Sequence, residues 1–407
     1  MISVKKAHHI IQDCIPEPRT VTIPLESSSR SVLAQEIRAS FPQPRFDNSA
    51  MDGFAVRTQD TAGASKENSV ELKLTVTIKA GSREQCKIQA GECARIMTGA
   101  PVPEGADAVV MVENTSGFNE EKTVEIFMQA KQGDNIRLAG EEIQKDEILI
   151  EKGTEIDAGA IGVLATFGFD NVKIFKPVDV SIFATGDELK DPGEPLSPGE
   201  IYNSNLPVLH NLIKNYGSPI IHANSVKDNP ESLEAFLAQA LKESDIVIAS
   251  GGVSMGKYDY VRDVLFKLGV KEHFWKVAQQ PGKPLFFGTA ENTLIFGIPG
   301  NPVSSYICFM EYIRPVLMQW KGGRSPEKIK AELKTPFPAN PEKHRFLFGN
   351  VWSENGSLFC RPTEKLGSHM LTSALNANAI LEAEPNSGDL PEGTMISVNL
   401  LPGAVLT

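Results

Sequence analysis

The sequence predicts a multi-domain α/β plus β protein: a mostly parallel sheet in the second half, a small β domain before it, and a small β-barrel or sandwich after it. Three apolar strands, VSIFAT from Val180, DIVIAS from Asp245 and LIFGI from Leu294, each run into a polar, glycine-bearing turn. Between 176 and 321, strand, loop and helix signals alternate, with LPVLHNLIKNYG and SLEAFLAQALKES as the helices. That alternation is the pattern of βαβ units and a largely parallel sheet. On either side of it, short strands alternate with Gly, Asn and Asp turns instead.

In chain order, residues 1–46 read as an amphipathic helix over 4–14, a strand near 20–24 and a second helix ending in SVLAQEIRA. Residues 47–137 carry the strand candidates GFAVR, ELKLTVTI, CKIQAGECARIM, DAVVMVEN and TVEIFMQA, which make a small β domain. Residues 138–175 return to mixed signals that include DAGAIGVLATFGF, a small-residue helix. The α/β domain is expected over 176–321. The tail, 322–407, has strand candidates at FLFGNVW, SLFCRP, AILEAEP and MISVNLL.

Composition narrows the class. A chain of 407 residues exceeds a single ordinary core and implies several domains of about 100 to 150 residues. The 40 Lys and Arg against 51 Asp and Glu give a formal net charge of −11, which argues against nonspecific nucleic-acid binding. The 5 cysteines are scattered without a CxxC pair, so neither a disulfide framework nor a structural zinc site is expected, and a reducing cytoplasm fits. No apolar run approaches the ~18 residues that would indicate a membrane-spanning helix, so no membrane association is expected.

The turns carry the chemistry, because ligands of open α/β sheets bind beyond the carboxyl ends of the strands. Thr185, Gly186, Asp187 and Glu188 follow the first strand, Gly251, Gly252 and Ser254 the second, and Pro299, Gly300 and Asn301 the third. Glycines without a Cβ let backbone N–H groups approach a phosphate, and the helix expected from about Tyr260 offers its positive end. Asp187, Glu188, Asp228 and Asp259 are placed to converge at one sheet edge, and carboxylates beside a phosphorylated substrate suit Mg²⁺. Each alone also has an ordinary reading, Asp259 as a helix N-cap and the others as solvated loop acids. Lys283 lies between two prolines in PGKP, where an ammonium can be held for an oxyanion, and Lys276 lies seven residues upstream. Either is equally a surface lysine. Ser304 opens the helix after GIPGNP. Far upstream, DNSAMDG with Asp52 and TGAPVPEGAD from Thr98 are too elaborate for plain hairpin turns.

DNSAMDGFAV, MTGAPVPEGADAVVMVE, RLAGEEI, FATGDEL, GEIYNSN, SGGVSMGKYDY, WKVAQQPGKPLFFG and GIPGNPVSS, in this order, resemble the molybdopterin molybdenumtransferases, the bacterial MoeA and gephyrin E-domain family. The resemblance spans nearly the whole chain. It implies a homodimer of four-domain subunits: a discontinuous first domain (1–46 and 138–175), a β domain inserted in it (47–137), a three-layer α/β molybdopterin-binding domain (176–321) and a C-terminal β-barrel (322–407). It also implies a Mg²⁺-dependent reaction in which molybdate enters the dithiolene of adenylylated molybdopterin and AMP is released, the substrate coming from a molybdopterin adenylyltransferase.

Carried over motif by motif, the resemblance assigns Asp187, Glu188, Asp228 and Asp259 to the acidic, Mg²⁺-linked part of the cleft and Gly251, Gly252 and Ser254 to the pterin phosphate. Asp52, Thr98, Arg137 and the acid Glu142 come from the inserted domain. Lys276, Lys283 and Ser304 face molybdate, and Ser373 closes that side. The chain departs from the family pattern at three places: Glu142 replaces the usual aspartate, Gln280 a frequent lysine or arginine, and Phe348 an arginine expected in FLFGNV, with Arg345 and Arg361 the nearest cations. Two other readings stay open, an adenylyltransferase-type enzyme of the same pathway and a molybdopterin-binding scaffold without catalysis.

Overall fold

The computed structural model describes residues 1–82, 86–252, 260–323, 327–386 and 388–406. The chain forms two compact units, one of Met1–Gln35, Lys152–Ile161 and Asp170–Thr407, the other of Glu36–Glu151 and Gly162–Phe169.

The larger unit is built on a six-stranded sheet of β1 (Val180–Thr185), β2 (Ile220–Val226), β3 (Ile246–Ser250), β4 (Lys271–Trp275), β5 (Phe286–Ala290) and β6 (Thr293–Ile298), in the order β2-β1-β3-β6-β5-β4. The pairings β2–β1, β1–β3 and β3–β6 are parallel, and β5 alone runs against the rest. The central strands are apolar on both faces because both are covered. Along β3, Ile246 and Ile248 join the core under α1 (Val4–Asp13), α2 (Asn205–Asn215) and α5 (Pro302–Cys308). Val247 and Ala249 join the opposite core under α3 (Pro230–Glu243) and α4 (Tyr260–Lys267). This is the expected three-layer α/β arrangement.

The tail closes into a barrel. Around the ring the strands follow the order His344–Glu354, Ser357–Pro362, Ile329–Leu333, Met395–Leu400 and Ala379–Ala383, and His344–Glu354 closes it by pairing with both Ser357–Pro362 and Ala379–Ala383. Asn355 and Gly356, both at positive φ (50° and 78°), turn the tight hairpin between the two strands they join, as an Asn-Gly pair does best. Leu347, Val351 and Leu381 fill the barrel, while Phe346, Phe348 and Ile380 pack against the α/β core.

In the smaller unit, Gly53–Val56, Val70–Ile78, Glu92–Ile96, Ala108–Met111 and Thr123–Ile126 form a five-stranded sheet, so each strand candidate of this region is realised. One sequence expectation is corrected. SVLAQEIRA is not a helix: Val32 and Leu33 are buried and bridge to Glu155 and Ile174, and Ile37–Arg38 pairs with Ile148–Ile150. Strand partners distant in sequence override a weak local helical pattern there.

Candidate active site

The three glycine turns meet at the carboxyl end of the sheet. Thr185 ends β1 with its hydroxyl donating to Asp228 Oδ1 at 3.2 Å. Asp228 directly precedes Asn229, whose side chain caps α3 by accepting from Ser232 N at 2.9 Å, with Pro230 in the first turn. The VKDNP motif therefore fixes the carboxylate beside the strand end. Glu188 folds back over Gly186: a Cβ there would lie 2.7 Å from Glu188 Oε2. Asp187 and Glu188 are exposed.

Gly251 and Gly252, at φ 89° and 66°, take the chain away from β3 beneath this edge. A Cβ on Gly251 would sit 2.8 Å from the Thr185 carbonyl oxygen, and one on Gly252 2.5 Å from Val261 Cγ2. Both the left-handed backbone and the contact demand glycine. Asn205, buried at the start of α2, donates to Ser250 Oγ at 2.9 Å and to the Gly300 carbonyl at 2.7 Å, locking the second and third turns together. Ser254 and Asp259 lie outside the described residues.

Beyond Pro299–Asn301, the cavity deepens into a cleft of about 350 Å³ lined by Gln280, Lys283, Pro299, Asn301, Ser304 and Arg345. Ser368 forms its far wall and accepts from Asn301 Nδ2 at 3.1 Å. Arg345 is 9% exposed, burial pushes its guanidinium pKa down, and Nε has no hydrogen-bond partner among the described residues. A buried, unpaired guanidinium beside the Lys283 ammonium is costly unless an anion completes it. The Lys283 loop is held from below by Gln279, which donates to the Gly282 carbonyl at 3.1 Å and accepts from the Tyr312 hydroxyl.

Other expected residues lie apart from this cleft. Lys276, at φ 81°, places its ammonium 3.7 Å from the Trp275 ring centroid. Ser373 lines a neighbouring cleft of about 630 Å³ together with Arg361 and Thr363. Of the two nearest cations to FLFGNV, Arg345 stands near the start of the same strand and lines the oxyanion cleft, and Arg361 lines the neighbouring one. Phe348 packs edge-to-face on Tyr306, with ring centroids 5.1 Å apart.

The smaller unit gathers its own motif residues. Asp52 accepts from Thr98 N at 2.7 Å and from Thr98 Oγ1 at 2.9 Å, and these bonds hold its carboxyl below the ordinary value. Arg137 pairs with Asn48, and Asp47 accepts from Ala139 N at 2.7 Å. Glu142 lies exposed on the same loop, its N–H donating to the Gln43 carbonyl at 3.1 Å. DNSAMDG, TGAP and RLAGEE are thus one hydrogen-bonded patch.

Three family models match in succession: the MoeA N-terminal region (domains I and II) over residues 2–168, a probable molybdopterin binding domain over 181–319, and the MoeA C-terminal region (domain IV) over 330–401. The chain is 36% identical over 388 residues to the molybdopterin molybdenumtransferase of Bacillus subtilis (strain 168), covering 94% of this chain and 90% of that one. The chain belongs to the MoeA family of molybdopterin molybdenumtransferases. Its likeness to the Haemophilus influenzae molybdopterin molybdenumtransferase is 31% identity, covering 98% of each chain. A crystal structure of the molybdopterin biosynthesis MoeA protein from Pyrococcus horikoshii superposes with a TM-score of 0.84 at 30% identity, covering 98% of this chain and 99% of that one. Membership makes the chain an enzyme of molybdenum cofactor biosynthesis. Among the described residues, no helix is long and apolar enough to cross a membrane.

Proposed function

We propose that this protein inserts molybdate into the dithiolene of adenylylated molybdopterin, with hydrolysis of the adenylyl bond releasing AMP and leaving molybdenum cofactor. The observation that carries the reading is the cleft in which Lys283, Lys343 and the buried Arg345, its Nε without a hydrogen-bond partner among the described residues, share the lining with Ser304 and Asn301. Three cations around a partly dehydrated pocket suit a compact oxyanion such as molybdate. Pro299 and Asn301 connect this cleft to the glycine crevice, where the phosphoanhydride belongs.

Among the described residues, no three His, Cys, Asp or Glu side chains cluster tightly enough to hold a metal alone. Mg²⁺ does not require that, since it keeps waters and takes one or two carboxylates plus substrate phosphate. Glu188 and Asp228 would hold it, with Asp187 and Asp259 as the further candidates, and the metal would offset phosphate charge. Water adds to the phosphorus of the anhydride, the bond to the adenylyl group breaks, and AMP leaves. Thr185 keeps the Asp228 carboxylate oriented. Asp52 and Glu142 act in catalysis, and Thr98 and Arg137 bind substrate, from the hydrogen-bonded patch described above.

On the same reading, the protein acts as a cytoplasmic homodimer supplied by a molybdopterin adenylyltransferase. The deciding experiment measures AMP release from adenylylated molybdopterin with Mg²⁺, with and without molybdate. Molybdate-dependent release is expected. Consumption of ATP would indicate an adenylyltransferase instead, and no turnover by a protein that still binds molybdopterin would indicate a scaffold.

A further inference from the structure

A fully buried amide lies beneath the Lys283 loop. Gln279 sits against Cys308 and Tyr312 of the apolar core. An amide there is costly unless its hydrogen bonds are made, and they are: Oε1 accepts from the Tyr312 hydroxyl, while Nε2 donates to the Gly282 carbonyl at 3.1 Å and lies 3.6 Å from Cys308 Sγ. A leucine would fill similar space without that demand. What the amide adds is a fixed loop, since a satisfied buried network rigidifies what it joins. Gly282, at φ 88°, directly precedes Lys283, and a Cβ on it would lie 2.6 Å from Gln279 Nε2 and 2.8 Å from Cys308 Sγ, so the PGKP turn is seated on the amide itself. The Lys283 carbonyl accepts from Val277 N at 3.0 Å and Leu285 N at 3.1 Å, which closes the base of the loop, and Gln279 fixes its tip.

Tyr312 ties the amide to the helix that carries Ser304. After α5, which brings Ser304 to the pocket, the chain continues into a π-helical turn, Phe309–Ile313. Such turns insert one extra residue and are frequent at functional sites. Here the turn directs Tyr312 inward, where its ring stacks on His8 with centroids 4.9 Å apart and its hydroxyl reaches Gln279. We infer that Gln279 and Tyr312 are positioning residues, fixing the Lys283 ammonium relative to Ser304 so that both reach one bound oxyanion. Their side chains are sealed from solvent, so they act through the loop and not by touching the anion. The inference deepens the transferase reading and rests on it for the identity of the anion.

The test titrates the full-length protein with molybdate and, separately, with AMP by calorimetry. Gln279→Leu removes the donor to Gly282 and should weaken molybdate binding about three- to tenfold, the worth of one hydrogen bond, with AMP affinity unchanged. Tyr312→Phe keeps the ring on His8 and frees only the amide oxygen. It should weaken molybdate binding about two- to threefold, and it carries the test if Gln279→Leu does not fold. In turnover, a displaced Lys283 appears as a raised KM for molybdate at unchanged kcat, whereas a mere loss of folded protein lowers kcat alone. The inference is overturned if the variants bind molybdate as the wild type does, if molybdate and AMP affinities fall together, or if kcat falls with KM unchanged. Failure of the transferase reading registers in the wild-type protein instead, as no molybdate-dependent AMP release, and takes the inference with it.

Discussion

Arg345 is buried with its Nε unpartnered among the described residues, and that sets what its replacement should do. Arg345→Gln removes a charge-assisted contact worth about 1.5 to 3 kcal/mol to a bound anion, so molybdate affinity should fall about 10- to 100-fold. Because an uncompensated buried charge is lost with it, the melting temperature should stay level or rise. Calorimetric titration and a melting curve together check this, and a large loss of stability without a loss of affinity would make Arg345 structural. Gln280 lines the same cleft and accepts from Asn340 Nδ2 at 2.8 Å. Gln280→Lys adds a fourth cation to Lys283, Lys343 and Arg345 there and should tighten molybdate binding; an unchanged affinity would place that side chain outside the oxyanion's reach. Lys283 and Ser304 were legible from PGKP and GIPGNPVSS, but the arginine was not. RFLFG is apolar on both sides of the strand, since Leu347 faces the barrel and Phe346 and Phe348 face the α/β core. Sequence alone therefore gives no phase for a cation at 345 rather than 348.

At the scale of elements, the turns were more legible than the strands that carry them. A buried strand followed by two glycines announces a left-handed turn, and Gly251 and Gly252 make one. Position 252 combines that backbone with a crowded Cβ, whereas Gly217, at φ 70° after α2, has open space around it. Gly217→Ala should therefore cost only the backbone term of about 1 kcal/mol. Gly252→Ala should cost about 2 to 4 kcal/mol, because overpacking against Val261 adds to it. Denaturant unfolding of the two variants measures the difference, and equal losses would mean that the Gly252 turn relaxes freely. The failed helix over SVLAQEIRA shows the opposite case. Its buried Val32 and Leu33 are claimed by partners near residues 155 and 174, and a window of local propensity cannot contain them.

At the scale of the whole molecule, the larger unit is tied together by a buried charge network that no stretch of sequence reveals, since its members are separated by up to several hundred residues. Glu311, 3% exposed, accepts from His8 Nε2 of the first helix and from Lys328 Nζ, both at 2.8 Å. Lys328 also reaches Glu382 of the barrel at 2.7 Å, and His344 lies 3.5 Å from the same carboxylate. Burial alone would push the Glu311 carboxyl up; His8 and Lys328 outweigh it and hold its pKa below the ordinary range. Burial likewise works against the Lys328 ammonium, and Glu311 and Glu382 outweigh that to raise its pKa. A depressed carboxyl contributes stability that is present above its unfolded pKa, about 4.3, and is lost as pH falls toward the folded value. A raised lysine contributes stability that is present below about pH 10 and is lost above it. The network should therefore give a plateau from about pH 5 to 10 and an acid slope below it. Glu311→Gln leaves Lys328 with Glu382 but breaks the pair, and should cost about 3 kcal/mol at neutral pH. It should also flatten the decline of melting temperature between pH 5 and 3, because the carboxyl that takes up a proton there in the unfolded chain but not in the folded protein is gone. Melting curves across that range decide the matter: a variant whose acid slope parallels the wild type would show that other carboxylates carry the acid sensitivity and that Glu311 serves packing alone.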